Sequence, residues 1–154
     1  MRLSDFFCFE ATVPELQSTD RDGAIAELVA ALVKAGRLPA ELAEETTKAV
    51  IKRENEASTG MGKGVAVPHV KIPEVLDFVL TFGRHASGLD FDSLDDQPVH
   101  LVAMIGASDS QAGEFLKMLA RLVQTFRAKD VRRSLLQAEN EQDFRAILRN
   151  QIGR

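Results

Sequence analysis

The sequence predicts an α/β fold in which a mixed β-sheet is flanked by helices on both faces. Two observations lead to this prediction. Apolar residues recur with helical spacing in the first and last thirds of the chain, and residues 98–105 (PVHLVAMI) form an almost continuous apolar run. Such a run is typical of a strand that is covered on both faces. Because helical segments precede, separate and follow the strand-like segments, helices are expected on both sides of one sheet.

The first part of the chain predicts one strand and two helices. Residues 6–13 (FFCFEATV) are predicted to form a short strand. A helix is predicted to begin at one of the cap-forming residues 18–20 and to end at Gly36. Pro39 suits the first turn of a second helix, which is expected to fade around residues 53–55. The residues predicted to face inward are Ile25, Leu28, Val29, Leu32 and Val33, then Leu42, Ala49 and Val50.

Three strands and three helices are predicted in the rest of the chain. The strands are 64–67, 76–83 and 98–105, and the helices are 112–127, 130–137 and 141–150. The inward residues of these helices are Phe115, Leu119, Leu122, Val123 and Phe126, then Leu135 and Leu136, then Phe144, Ile147 and Leu148. Because no repeat, low-complexity tract or linker interrupts this pattern, residues 1–154 are predicted to be a single domain.

The composition is that of a soluble globular protein, and it limits the possible functions. Apolar residues make up 45% and charged residues 27% of the chain, and the formal net charge is −4. This charge argues against nucleic acid as a partner, since nucleic-acid-binding proteins usually carry a basic surface. A single cysteine excludes an intrachain disulfide and a four-cysteine zinc site. No segment is apolar enough for a membrane span or a signal sequence, so a cytoplasmic location without membrane insertion is expected.

Three glycines alternate with other residues at positions 60, 62 and 64, in the segment GMGKG. This loop is not a P-loop, which requires four residues between its first glycine and a Gly-Lys pair, followed by Ser or Thr. It is not a dinucleotide-binding loop either, because that loop follows a strand and opens a helix, whereas this one leaves a helix and enters a strand. The glycines by themselves therefore predict a turn.

His69 follows Pro68, directly after the strand predicted over residues 64–67. Proline has no N–H and interrupts strand pairing, so His69 is expected at a strand end, where open α/β sheets commonly bind ligands. Metal binding is the weakest option there, because His85 and His100 lie in separate elements. His85 is expected to be exposed, and His100 to be buried or at a sheet edge. From the histidine alone, a nucleophilic role and a structural role both stay open.

The wider sequence around His69 adds a specific resemblance. Residues 53–69 (RENEASTGMGKGVAVPH) fill every defined position of the pattern R-E-x-x-x-S-T-G-x-G-x-G-aliphatic-A-aliphatic-P-H. Residues 89–105 contain F-D-x-x-D-x-Q-P-V, and residues 115–122 read FLKMLARL. The chain thus resembles, over nearly its whole length, the IIA domains of the bacterial phosphoenolpyruvate:sugar phosphotransferase system. The match is to the fructose/mannitol type and is closest to its nitrogen-regulatory branch, which implies the IIA fructose/mannitol-type sandwich as the fold.

The resemblance implies a function for five residues. His69 is implied to accept a phosphoryl group from a small HPr-type carrier protein. Arg53, a forked and always-charged donor, is implied to stabilise the phosphoryl oxygens, and Ser58, Thr59 and Gly60 to bind the phosphate. The acceptor that follows would be a IIB domain or a regulatory target protein. No cofactor and no metal is implied, and the chain is expected to be a phosphotransferase-system component rather than a stand-alone turnover enzyme. No IIB or membrane IIC segment is recognised in the sequence, and the resemblance to the nitrogen-regulatory branch favours signalling over sugar uptake.

Two residues at the edge of the expected pocket depart from the family pattern. Val70 stands where the family usually has a small residue, which would narrow access to His69. Phe115 stands where the family often has a second histidine, so His69 is expected to lack a polar partner that could fix its tautomer. These departures support an alternative function, a protein-interaction module that keeps the fold and is not phosphorylated. Incubation with phosphoenolpyruvate, enzyme I and an HPr-type carrier, followed by intact mass measurement, separates the two functions.

Overall fold

Five helices and five strands form the described part of the chain. The computed structural model describes residues 9–75, 78–108 and 112–152, with backbone alone at residues 112 and 152. The helices are α1 (Arg21–Lys34), α2 (Ala43–Glu56), α3 (Ala112–Arg127), α4 (Lys129–Gln137) and α5 (Glu141–Ile152). The strands are β1 (Gly60–Gly62), β2 (Val65–Ala66), β3 (His69–Lys71), β4 (Val79–Leu89) and β5 (Val99–Ala107). None of the helices described here has the length and apolar character needed to cross a membrane.

Strand β5 is the centre of a mixed sheet. It pairs in parallel with β2 and β3 along one edge and antiparallel with β4 along the other. Strand β1 extends the sheet beyond β2 by antiparallel pairing. Its nearly continuous apolar sequence is buried on both faces, with only His100 half-buried, because helices cover both sides of the sheet, as the sequence predicted.

The sheet separates two hydrophobic cores. Leu101, Ala103 and Ile105 of β5 point into a first core, which is closed by helices α3, α4 and α5. Val102 and Met104, which alternate with them, point into a second core that is closed by helices α1 and α2. The predicted α/β class, with helices on both faces of a mixed sheet, is therefore confirmed.

The boundaries of the first two helices follow from the residues at their ends. The side chain of Asp20 accepts a hydrogen bond from the backbone N–H of Gly23 at 2.7 Å, which caps α1. Gly36 has a φ of +76° just beyond the end of α1, a conformation that glycine adopts without steric cost. Pro39 precedes a short 3₁₀ turn (Ala40–Leu42) that leads directly into α2. Both helices thus begin and end close to the predicted positions.

The predicted strand over residues 6–13 is wrong for the residues that the structure describes. Phe9–Ala11 form a 3₁₀ turn, and Val13 makes a single β-bridge to Gly83. The hydroxyl of Thr12 donates to the carbonyl of Phe9 at 2.8 Å, a local bond that favours a turn over an extended strand. Residues 6–8 lie outside the described residues.

Two further predictions are corrected. Residues 76–77 lie outside the described residues, and β4 continues past Gly83, where the sequence predicted its end, to Leu89. A Cβ at position 83 would lie 2.9 Å from Leu16 Cδ1 and 3.0 Å from Leu28 Cδ2, so this glycine serves close packing rather than a turn. Leu136, predicted to face inward, is 47% exposed, because the inward face of the short helix α4 is already formed by Val131 and Leu135.

Candidate functional site

The glycine-rich segment forms a tight hairpin between β1 and β2. Gly62 pairs with Val65, which leaves Lys63 and Gly64 as a two-residue turn. Their φ angles are +60° and +80°, and positive φ at both central residues is the pattern of a type I′ hairpin turn. The N–H of Lys63 donates to Asp95 Oδ2 at 3.0 Å, which fastens the turn to the loop before β5. The predicted turn is therefore an ordered hairpin.

Pro68 separates β2 from β3 but does not change the register of their pairing with β5. Its carbonyl accepts the N–H of Ile105 at 2.9 Å, although proline itself has no N–H to donate. Val65 pairs with Leu101 before the break and His69 with Ile105 after it, in the same register. His69 therefore lies at a strand end, as the first residue of β3 and directly after the break at Pro68, as the sequence predicted.

The His69 side chain has one nitrogen bound and one nitrogen free. Its Nδ1 lies 3.0 Å from the backbone carbonyl oxygen of Val67. Because a carbonyl oxygen can only accept, Nδ1 carries the proton and donates it. In the neutral ring, the lone pair is then on Nε2, which makes no hydrogen bond to the described part of the chain. The sequence predicted that His69 lacks a polar side chain that could fix its tautomer. The backbone carbonyl of Val67 fixes the tautomer instead.

The surroundings of His69 favour the neutral imidazole. Its pKa is lowered from the ordinary value of 6.5, mainly because the ring is partly buried and its charged form is poorly solvated. The positive charge of Arg53 lowers the pKa further, while the hydrogen bond to Val67 and the negative charge of Glu54 oppose the shift. The ring is therefore uncharged at neutral pH, which leaves Nε2 able to act as a nucleophile.

Phe115 lies against His69, whereas Val70 points away from it. The ring centroids of His69 and Phe115 are 5.3 Å apart, with an angle of 51° between the ring planes. Phe115 is partly buried and packs on the first core. Val70 packs on the second core, on the opposite face of the sheet. The two departures from the family pattern therefore lie on different faces of β3, and Phe115 is the one in contact with the imidazole.

Arg53 lies in the last turn of α2, close enough to His69 for its charge to affect the imidazole. Its Nη1 donates to the carbonyl of Ala57 at 2.9 Å, a bond that satisfies a free carbonyl just past the helix end. Its other N–H groups have no protein acceptor among the described residues. Arg53 thus has N–H groups that the described part of the chain does not use.

The three residues predicted to bind phosphate mainly bind other parts of the protein. The hydroxyl of Ser58 donates to the carbonyl of Phe91 and accepts the N–H of Gly60 at 3.0 Å. Thr59 is buried, and both its N–H and its hydroxyl donate to the carboxylate of Glu54. The structure therefore brings His69 and Phe115 into contact and places Arg53 near enough to act on the imidazole by its charge. Ser58, Thr59 and Gly60 hold the connection between α2 and β1.

Glu54 is a residue of this site that the sequence did not single out. It is 2% exposed, and its oxygens accept from Thr59 N at 2.6 Å and Thr59 Oγ1 at 2.7 Å. A buried carboxylate needs such bonds, since an unpaired one would be very costly. Its position in the sequence could have indicated that it is buried. Glu54 follows the buried Val50 by four residues and so lies on the inward face of α2.

The other two histidines lie in a separate place. His85, expected to be exposed, is 8% exposed, and both of its nitrogens are bound, Nε2 to Ser18 O at 2.7 Å and Nδ1 to the N–H of Gly88 at 3.0 Å. His100 is half-buried on β5, and its Nδ1 lies 3.0 Å from the carbonyl oxygen of His85. Both line a cavity of about 640 Å³ that does not include His69. His85 and His100 are therefore separate from the candidate site.

Comparisons with known proteins agree with this arrangement. Residues 6–151 match the family described as "Phosphoenolpyruvate-dependent sugar phosphotransferase system, EIIA 2". The chain is 36% identical, over 92% of its length, to a fructose-specific EIIABC component of Bacillus subtilis, of which it spans 22%. It is 31% identical to a nitrogen regulatory protein of Bradyrhizobium diazoefficiens, covering 96% of this chain and 95% of that protein.

A solved structure shares the fold. The crystal structure of the nitrogen regulatory protein IIA-Ntr from Neisseria meningitidis superposes with a TM-score of 0.83 at 26% identity. The match covers 94% of this chain and 97% of that one. Since the family match includes both helical layers, the sheet and the segment around His69, the chain belongs to the EIIA 2 family of the phosphoenolpyruvate-dependent sugar phosphotransferase system.

Proposed function

We propose that this protein is a phosphocarrier or regulatory component of the phosphotransferase system that accepts a phosphoryl group on Nε2 of His69. The observation that carries this proposal is the hydrogen bond from Nδ1 to the carbonyl of Val67. It leaves the lone pair of Nε2 free in a ring whose lowered pKa keeps it neutral. A neutral imidazole with one fixed tautomer is a competent nucleophile toward phosphorus.

The transfer step balances without a cofactor. The Nε2 lone pair of His69 attacks phosphorus and forms a P–N bond, while the bond between phosphorus and the leaving atom of the donor breaks. The electron pair of the broken bond stays with that leaving atom. The Nδ1 proton of His69 stays in place throughout, bound to Val67. The bond to Val67 also stabilises the positive charge that the ring acquires as Nε2 bonds to phosphorus.

Arg53 is proposed to stabilise the transferred group. Its remaining N–H groups have no acceptor among the described residues, and its charge acts on the imidazole. A guanidinium binds phosphoryl oxygens in a forked arrangement. Charge stabilisation and positioning account for most of the catalysis of phosphoryl transfer. The proposed phosphate-binding role of Ser58, Thr59 and Gly60 is then indirect, because their bonds fix the segment that follows Arg53.

The proposed donor is a small HPr-type carrier protein in the cytoplasm, and the proposed acceptor is a IIB domain or a regulatory target. The similarity to a fructose-specific EIIABC component supports the first acceptor. The similarity to nitrogen regulatory proteins supports the second, and it extends over nearly the full length of the relative. We favour the regulatory role for this reason.

The alternative function, an interaction module that is never phosphorylated, rests mainly on Phe115. A missing second histidine was expected to leave the tautomer of His69 undetermined. The carbonyl of Val67 removes that difficulty, so Phe115 no longer argues against phosphorylation.

The proposal is tested by incubating the protein with phosphoenolpyruvate, enzyme I and an HPr-type carrier and measuring its intact mass. We expect the mass of one added phosphoryl group, which is lost in acid and retained in base, as is typical of a phosphoramidate bond. Omitting the carrier is the control, and it should leave the mass unchanged. A protein that stays unmodified under conditions that phosphorylate a known IIA domain would favour the alternative.

A further inference from the structure

The imidazole of His69 is held between two groups. On one side the carbonyl of Val67 binds Nδ1 at 3.0 Å. On another side the ring of Phe115 lies with its centroid 5.3 Å from the imidazole centroid. Phe115 cannot donate or accept a conventional hydrogen bond, so its effect on His69 must come from packing and from the electrons of its ring.

Phe115 is itself firmly placed. It lies near the start of helix α3 and packs on the first core, which includes the fully buried Met118 and Leu122 of the same helix. A ring anchored in this way limits rotation of the imidazole about its Cβ–Cγ bond. It also keeps water from the part of the imidazole that it covers. When Nε2 bonds to phosphorus, the imidazole becomes positively charged, and an adjacent aromatic ring attracts such a charge.

We propose that Phe115 is a positioning residue of the acceptor site, whose ring holds the His69 imidazole in the plane that presents Nε2 to the phosphoryl donor. This inference rests on the proposed function of His69. It makes the aromatic ring a part of the site that keeps the imidazole in the orientation from which Nδ1 can bind Val67. Phe115 acts through His69 and does not touch the phosphoryl group.

The proposal is tested with phosphoramidate, a small phosphoryl donor that requires no docking surface for a carrier protein. Phe115→Leu keeps the packing on the first core but removes the aromatic ring. Leu119→Ala is the matched control, because Leu119 is one turn further along α3 and also packs on the first core. The rate of phosphorylation is followed by intact mass, and the phosphorylated nitrogen is identified by NMR of protein labelled with ¹⁵N-histidine.

Wild type is expected to give the Nε2 adduct alone. Phe115→Leu is expected to react about three- to tenfold more slowly, the range of an aromatic contact converted to a rate, and to give some Nδ1 adduct. Leu119→Ala, compared at the same folded fraction, is expected to match wild type. A Phe115→Leu protein that reacts at the wild-type rate and on Nε2 alone overturns the positioning role.

A second measurement tests the inference even if wild type takes up no phosphoryl group, which would contradict the proposed function. The ¹⁵N shifts of the His69 ring in the unmodified protein report its tautomer. Wild type is expected to show the Nδ1–H form, and Phe115→Leu a mixture of both forms with a weaker bond to Val67. Identical shifts in the two proteins would show that Phe115 does not position the imidazole.

Discussion

His69 and His85 both lie on strands of the sheet, in β3 and β4, but they differ in how many of their ring nitrogens form hydrogen bonds. His85 uses Nε2 to bind Ser18 and Nδ1 to bind Gly88, so neither nitrogen is free. His69 uses Nδ1 alone, to bind Val67. His85 is therefore a structural residue that joins the segment before α1 to β4, whereas His69 keeps a nucleophilic lone pair. In this chain the two histidines thus differ in a free ring nitrogen of fixed tautomer, which the proposed acceptor role of His69 requires.

The largest expected effect comes from replacing each histidine by alanine. His69→Ala should abolish phosphorylation because no other described histidine lies at the site. His85→Ala should be labelled at the wild-type rate per folded molecule. It should, however, lose about 1–3 kcal/mol of unfolding free energy, since the partners of both ring nitrogens lose their bonds. Intact mass after acid and base treatment, together with urea unfolding, measures both quantities. Labelling of His69→Ala to the wild-type level would show that the acceptor is elsewhere.

Arg53→Lys extends the comparison by changing the positively charged group whose charge acts on the His69 ring. A lysine keeps the charge but cannot bind two phosphoryl oxygens with a fork. We expect transfer from an HPr-type carrier to slow by about 1–3 kcal/mol of transition-state free energy, with little change in stability. The exposed Arg133 of α4 provides the control, Arg133→Lys. Equal initial rates for Arg53→Lys and wild type would remove Arg53 from the mechanism.

Thr59→Val tests whether the loop beside the site is a scaffold or a direct phosphate ligand. The change keeps the shape of the side chain but leaves Glu54 Oε1 without its bond from the hydroxyl. We expect a loss of about 1–3 kcal/mol in unfolding free energy, as for other buried polar groups that lose a partner. The phosphorylation rate per folded molecule should change less than in Arg53→Lys. Stability at the wild-type level combined with a rate loss as large as that of Arg53→Lys would instead make the hydroxyl a phosphate ligand.

The smallest expected effect is in the pH dependence. Because the pKa of His69 is lowered by burial, its neutral form persists as the pH falls through 6.5, the ordinary value. The rate of labelling by phosphoramidate, divided by the rate for an unstructured histidine-containing peptide in the same buffer, should therefore rise as the pH falls below 6.5. Parallel rates for the protein and the peptide would contradict the lowered pKa.

The same shift affects stability. Between the folded and unfolded pKa values of His69, the unfolded chain binds more protons than the folded one, so stability increases with pH across this window. The contribution of the neutral ring is lost as the pH falls below the ordinary value. His69→Ala should remove this part of the pH dependence of the urea midpoint, and an unchanged pH dependence would show that other groups cause it.

Local patterns predicted most of the fold. The apolar stripes of α1 and α3 and the continuous apolar run of β5 are properties of neighbouring residues, and the structure has these elements where the sequence predicted them. The contacts that the sequence did not predict join distant residues. His85 is buried because it binds Ser18, 67 residues earlier in the chain, and Gly83 continues β4 because Leu16 and Leu28 pack against it.

The same division applies to the candidate site. The pattern around His69 drew attention to the histidine and to Arg53, because the residues of that pattern are consecutive in the chain. The hydrogen bonds from Thr59 to Glu54 could have been inferred only from the inward position of Glu54 on α2. The choice of Nε2 depends on the backbone at Val67, which no side-chain pattern reveals.

The unchanged register of β5 across Pro68 has a consequence for the order of events during synthesis. His69 is made well before Ile105, its pairing partner, and before Phe115, which covers its ring. Closing such a long loop is slow and becomes favourable only when the long-range contacts can form. We therefore expect a nascent chain to complete the proposed acceptor site around His69 only after β5 and α3 have left the ribosome. Phosphorylation would then mark molecules whose sheet is complete, and truncated chains would not compete for the donor.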